Sequence, residues 1–138
     1  MLPTVSVLIP TRDGWCHLEQ CLPSLANLTY PNDSLDITLI DNGSTDGTAD
    51  HASKLFPNVG IIRHEENLGF APAINLAATQ VQSKYIAILN NDTRVDPNWL
   101  SQLVDLLELK ESRGEKVAAA CSTILDWNGT SVQFFGGW

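Results

Sequence analysis

The sequence is poor in positive charge: 8 Lys and Arg stand against 16 Asp and Glu among 138 residues, a formal net charge of −8. No block of Lys or Arg interrupts that balance, which excludes nucleic acid or an anionic membrane as the main partner. Long apolar runs are missing as well. None approaches the roughly 20 residues that span a bilayer, and no basic-then-apolar leader opens the chain. A cytoplasmic protein is therefore expected, with any hold on the inner membrane surface supplied by parts outside these residues. Cysteine is sparse and odd in number. Cys16, Cys21 and Cys121 form neither a CxxC pair nor a metal set with His17, His51 or His64, so free buried thiols are expected. The GxGxxG turn of a dinucleotide-binding fold is absent too, and Pro10-Thr11-Arg12-Asp13-Gly14 stands where it would lie.

What the sequence does have is a set of apolar runs that stop abruptly at polar clusters. Tyr85-Ile86-Ala87-Ile88-Leu89 has strand length and reads as a buried strand, and it ends at Asn90-Asn91-Asp92. Thr4 to Ile9 is a strand closed by Pro10, Ile37 to Ile40 a second, and Val59 to Ile62 a third. Val117 to Leu125 reads as a further strand, and residues 132–138 as a last one.

Between these runs the apolar period changes to that of a helix. Leu18, Cys21, Leu22, Leu25 and Leu28 recur every three or four residues, with Pro23 expected to kink the stripe. Ala49, Ala52, Leu55 and Phe56 mark a second helix, and Ile74, Ala77, Ala78 and Val81 a third, with Pro72 tolerable in its first turn. Asp96-Pro97 reads as a cap and first turn ahead of Trp99 and the leucines 100–109. Strands alternating with helices point to an α/β fold, a mostly parallel open sheet with helices on both faces. The length suits a single domain, residues 1–138.

Three carboxylates fall at strand ends: Asp13, Asp41 and Asp92. In open α/β sheets ligands bind outside the carboxyl ends of the strands. A carboxylate there accepts an imide or amide hydrogen of a nucleobase, and another holds Mg²⁺ or Mn²⁺ through hard oxygen ligands, with waters and diphosphate oxygens completing the shell. Each residue alone is a common turn former. A phosphatase with an Asp nucleophile is a rival reading of Asp41-Asn42-Gly43-Ser44-Thr45, but Gly43 stands where its acid catalyst would be. A non-enzymatic nucleotide-binding half-domain is the other alternative.

Taken in order, Val7-Leu8-Ile9-Pro10-Thr11-Arg12-Asp13, then Leu39-Ile40-Asp41-Asn42-Gly43-Ser44-Thr45-Asp46-Gly47-Thr48, then Asn67-Leu68-Gly69-Phe70-Ala71 with Asn75, then Leu89-Asn90-Asn91-Asp92-Thr93 with Pro97 and Trp99-Leu100, resemble the family 2 glycosyltransferases. The resemblance covers nearly the whole chain. It implies a nucleotide-diphospho-sugar transferase (GT-A) fold and inverting transfer from a nucleoside-diphosphate sugar. The nucleotide-binding residues it implies are Pro10, Thr11, Arg12, Asp13, Asp41, Asn67, Gly69, Asn75 and Asn91. It carries the Asp-x-Asp metal motif over to Asn90-Asn91-Asp92, with Asn90 and Asp92 as metal ligands. Asn90 departs from that motif: a neutral amide oxygen is a weaker ligand, so Asp92 carries most of the coordination. The Asn-Asn-Asp variant resembles a rhamnosyltransferase branch, which leans toward a dTDP- or UDP-linked donor. It further implies a sugar or lipid-linked acceptor and a role in cell-surface polysaccharide synthesis. The family's general base lies in a later acidic motif. The chain is thus expected to be the amino-terminal part of a longer enzyme, to lack the base, and to self-associate through the apolar Phe134-Phe135-Gly136-Gly137-Trp138 end.

Overall fold

A computed structural model of the chain describes residues 2–135, so Gly136, Gly137 and Trp138 of the expected last strand lie outside the described residues. The chain divides between Pro97 and Asn98 into two compact units.

In the first unit the elements alternate as expected: β1 (Val5–Thr11), α1 (Trp15–Ala26), β2 (Leu35–Asn42), α2 (Thr48–Leu55), β3 (Gly60–His64), α3 (Phe70–Ala78) and β4 (Tyr85–Ile88). The four strands form one parallel sheet in the order β3-β2-β1-β4. Two crossovers run one way from β1 to β3, and the third jumps back across β1 to β4. Right-handed crossovers therefore set α1 and α2 on one face and α3 on the other. On the α3 face, Ala73, Ile74 and Ala77 pack with Leu8 and Ile40, and Ile62, Leu68, Ala78 and Val81 close around them. Val5, Val7, Ile9 and Leu39 alternate with these along β1 and β2. They are buried, as are Leu18, Cys21, Leu22 and Leu25 of α1.

Three expectations are corrected here. Pro10 does not close the first strand. β1 continues through Pro10, opposite Ile40, to Thr11, opposite Asp41. Pairing with β4 ends at Leu8, so beyond it β1 has a neighbour on one side only, and proline's missing donor costs no ladder bond there. Second, β4 is not buried on both faces. Its only ladder partner among the described residues is β1, and Ile86 and Ile88, which share the face of Leu8, are 44% and 53% exposed because α3 lies over β1 and β2. Third, only Cys21 of the three free cysteines is buried, and Cys16 and Cys121 are exposed. Pro23 lies inside α1, which continues past it to Ala26.

The second unit holds α4 (Trp99–Ser112) and a hairpin of β5 (Thr123–Leu125) with β6 (Val132–Phe135). The helix starts after Asn98 rather than at Asp96-Pro97. Within this unit the Trp99 indole N–H donates to Ser122 Oγ at 2.7 Å. The strand expected from Val117 shrinks to three residues. β5 finds one antiparallel partner, and every residue of both strands is exposed.

Candidate functional site

Between β1 and β4 the sheet's connections leave in opposite directions, and a ligand crevice forms at such a switch point. The segments that flank it are Thr11, the last residue of β1, with Arg12 to Gly14 after it, and Asn90 to Asp92 after β4. Asn91 Nδ2 donates to Thr11 Oγ1 at 2.8 Å, so a single bond spans the crevice floor. Gly14 lies directly under that bond. A Cβ there would collide with Asn91 Nδ2 and stand 2.5 Å from Thr11 Oγ1.

The β1 loop is tied equally closely to the loop after β2. Asp13 takes the left-handed conformation at φ 48°, which Asp tolerates better than most residues. Its N–H donates to Ser44 Oγ at 2.9 Å, and its Oδ1 accepts the Thr45 N–H at 2.7 Å and the Thr45 hydroxyl at 3.3 Å. Gly14 N–H donates to Thr48 Oγ1 at 3.1 Å, and Thr48 in turn donates to Asp46 Oδ1 from its hydroxyl at 2.5 Å and its N–H at 2.9 Å. The Thr48 hydroxyl is the largest cause holding the Asp46 carboxyl below the usual carboxylate range.

Asp41 is buried at the end of β2, and its Oδ1 accepts the Ser44 N–H at 3.0 Å. Its Oδ2 makes no hydrogen bond among the described residues. One turn orients the carboxylate and leaves the other oxygen for a ligand donor. The neighbouring Asn42, also buried, reaches the loop before α3, accepting the Leu68 N–H and donating to Asn67 and Gly69.

Asp92 is exposed, and its carboxylate makes no hydrogen bond among the described residues. Its charge reaches Cys21, whose thiol is pushed up to about 11 by burial first and by Asp92 in addition, against a lowering hydrogen bond from Thr93. Asn90 holds the turn through its backbone, its carbonyl accepting the Thr93 hydroxyl at 2.7 Å, and it is exposed. Among the described residues no group of three or more His, Cys, Asp and Glu could enclose a metal. One unpaired carboxylate with an amide oxygen two residues away fits a different arrangement, that of Mg²⁺ or Mn²⁺ held by few protein ligands and completed by phosphate and water.

Of the residues expected from sequence, Thr11, Asp13, Asp41 and Asn91 thus converge around the crevice, with Asn90 and Asp92 flanking Asn91 in the chain. Pro10 is the last strand residue but one, and Arg12 is exposed, 4.0 Å from Asp13. Asn67 and Gly69 join through Asn42. Asn75 does not join: it is exposed on α3, outside the hydrogen-bonded set. Asn42, Gly14, Ser44, Thr45 and Thr48 escaped the sequence reading as site residues. The dense run Asp41 to Gly47 was the one local signal for Asn42, Ser44 and Thr45, and Thr48 directly follows it. The recess lined by Ser6, Asp36, Thr38, Asn58, Gln80 and Gln82 lies toward the other ends of the strands, away from all these groups.

Comparison with known proteins bears on what such a crevice holds. Residues 6–121 match the sequence pattern of the family described as Glycosyl transferase family 2. An uncharacterized glycosyltransferase of Haemophilus influenzae is 34% identical over 109 residues, 77% of this chain and 33% of that protein. The N-acetylglucosaminyl-diphospho-decaprenol L-rhamnosyltransferase of Mycobacterium tuberculosis is 31% identical over 116 residues, 76% of this chain and 36% of that protein. Among solved structures, a mannosyltransferase from Pyrobaculum calidifontis in complex with GDP-Man and Mn²⁺ superposes with a TM-score of 0.71 at 26% identity, covering 78% of this chain and 33% of that one. The chain thus spans about a third of the length of each of these three proteins.

Proposed function

Because the chain belongs to glycosyl transferase family 2, we propose that it is the nucleotide-sugar-binding part of an inverting glycosyltransferase. The observation that carries this reading is the crevice between β1 and β4, closed by the Thr11–Asn91 bond and flanked by two carboxylates with unused oxygens, Asp41 and Asp92. Asp41 Oδ2 accepts a nucleobase N–H, its orientation fixed by the Ser44 N–H. Asp92, with Asn90 beside it, holds Mg²⁺ or Mn²⁺. When bound, that ion offsets the charge of the diphosphate. The Pro10 to Asp13 loop lines the nucleotide, and the bonds of Asp13 to Ser44 and Thr45 keep it in place before the ligand arrives.

The donor favoured is dTDP- or UDP-linked, supported by the Asn-Asn-Asp turn and by the rhamnosyltransferase among the relatives. The GDP-Man complex of the Pyrobaculum protein makes GDP the competitor to test. The acceptor is a sugar or a lipid-linked sugar, the role cell-surface polysaccharide synthesis, and the place of action the cytoplasmic side of the membrane. A second reading, a binding half-domain without its own catalytic base, is favoured by the commitments of the carboxylates. Asp13 and Asp46 are bonded within the loops, and Asp41 and Asp92 serve the donor side.

Titration calorimetry with UDP, dTDP and GDP, each with Mn²⁺ and with EDTA, tests this assignment. Asp41→Ala is expected to weaken binding by about 1.5–3 kcal/mol, the value of a hydrogen bond to a charged group. Asp92→Ala is expected to abolish the difference between Mn²⁺ and EDTA. Affinity untouched by Asp41→Ala would remove the assignment of the crevice.

A further inference from the structure

Asn42 carries three hydrogen bonds at the buried end of β2. Its Nδ2 donates to Asn67 Oδ1 at 2.9 Å and to the Gly69 carbonyl at 3.1 Å, and its Oδ1 accepts the Leu68 N–H at 2.9 Å. Backbone groups make the orientation unambiguous. An N–H can only donate and a carbonyl can only accept, so the Asn42 amide is held one way round. The same logic fixes Asn67. Its Oδ1 accepts the Gly69 N–H at 2.9 Å besides the Asn42 donor, so its oxygen is used twice. The two Nδ2 hydrogens remain, unbonded among the described residues, on an exposed side chain.

Gly43 completes the socket. At φ +81° it takes a conformation that side chains rarely adopt, and a Cβ there would stand 2.8 Å from the Glu66 carbonyl carbon and 3.0 Å from the Asn67 nitrogen. The backbone of residues 66 and 67 thus rests against bare glycine while Asn42 bonds the next two residues. Asp41, the residue before Asn42, is the one whose Oδ2 makes no hydrogen bond among the described residues and is assigned above to a nucleobase N–H. The end of β2 therefore holds an acceptor directly and holds a donor through its neighbour.

We propose that Asn42 is a positioning residue. It fixes loop 66–69 against β2 and holds Asn67 with its oxygen inward and its amino group outward, so that Asn67 meets a nucleotide as a donor only. This rests on the reading that the strand ends hold a nucleoside diphosphate, and it adds a polarity to that site. A ligand atom beside Asn67 must be an acceptor, a base carbonyl or a phosphate oxygen.

The test is a double-mutant cycle on the full 138-residue chain, with UDP and Mn²⁺ titrated calorimetrically. Asn42→Ala and Asn67→Ala should each weaken binding about tenfold, and the double variant should be no weaker than the worse single one, because one residue acts through the other. Losses that multiply to about a hundredfold would show Asn42 acting independently and overturn the proposal. So would a folded Asn42→Ala with unchanged affinity. Should Asn42→Ala fail to fold, the wild-type protein decides by nitrogen–proton NMR. Addition of UDP should shift the Asn67 side-chain NH₂ signals and leave those of Asn42 in place, and an unmoved Asn67 signal overturns the proposal. Asp41→Ala separates the two levels. Its binding loss alongside an inert Asn42 fells only the positioning role, whereas a wild-type chain that binds none of UDP, dTDP and GDP fells the nucleotide reading and the positioning role with it.

Discussion

At the scale of single residues, the tightest constraint is Gly14, because the space a methyl would need is filled by the two partners of the Thr11–Asn91 bond. Gly14→Ala is expected to force them apart and to destabilise the first unit by about 1–3 kcal/mol, the usual cost of overpacking. Nucleotide affinity should fall in parallel. Urea unfolding and calorimetry on the same variant check both. Cys21 gives a second residue-level outcome. Its thiol keeps its proton to about 11 instead of 9.0, mainly through burial. Since the folded value is the raised one, this contribution to stability is complete below about 9 and is lost as pH rises through about 11. Near neutral pH the thiolate fraction is correspondingly small. Iodoacetamide at pH 8 should label the exposed Cys16 and Cys121 well before Cys21, as peptide mass spectrometry would show.

Among the elements, the turn of the β5–β6 hairpin is tied by one side chain in addition to its backbone bonds. Asp126 accepts the Thr130 N–H at 2.7 Å and hydroxyl at 2.8 Å, and the Ser131 N–H at 3.2 Å and hydroxyl at 3.0 Å, which closes the turn between the strands. The Thr130 hydroxyl first, and the N–H groups after it, hold the carboxyl at about 2. A lowered folded value means that the carboxylate supports the hairpin above its ordinary 3.8 and ceases to as pH falls through about 2. Asp126→Ala should abolish the cross-strand proton contacts between Ile124 and Phe134 in NMR spectra at neutral pH, and acid should do the same to the wild type. Element by element, the parallel α/β order was legible because each strand and helix carries its own period. Leu18, Cys21, Leu22 and Leu25 announce α1 without help from the rest of the chain. The exposed face of β4 was not legible, because an apolar run is the same whether or not a helix covers it. Nor was the short β5, since Val117 to Leu125 has the composition of a strand but found a partner for three residues only. The site divides likewise. Asp13, Asp41 and Asn91 stand out at the ends of apolar runs, whereas the roles of Asn42 and Gly14 depend on partners 25 to 34 residues away in sequence and, for Gly14, on Asn91 still farther along the chain.

For the whole molecule, apolar exposure sets the expected behaviour in solution. Val132, Phe134 and Phe135 are exposed on β6, Phe135 by 80%, and Ile124 and Leu125 on β5. A two-stranded hairpin with apolar side chains on both faces invites association. Sedimentation velocity is expected to show larger species as concentration rises, and Phe134→Ser with Phe135→Ser to suppress them. Sedimentation that stays monomeric at all concentrations would count against this end as an interface. The placement of β1 at the centre of the sheet carries a consequence in time. β1 pairs with β2, about 30 positions on, and with β4, which begins at Tyr85. A chain leaving the ribosome can therefore assemble β1, β2 and β3 with α1 and α2 while β4 is still unmade. Thr11 and Asn91 are 80 residues apart, so at about 5–20 residues per second the first half of the crevice waits roughly 4–16 s for the second. Throughout that interval the β4 side of β1 is an open edge. The nascent protein is most exposed to strand-to-strand mispairing just before the candidate site comes into being.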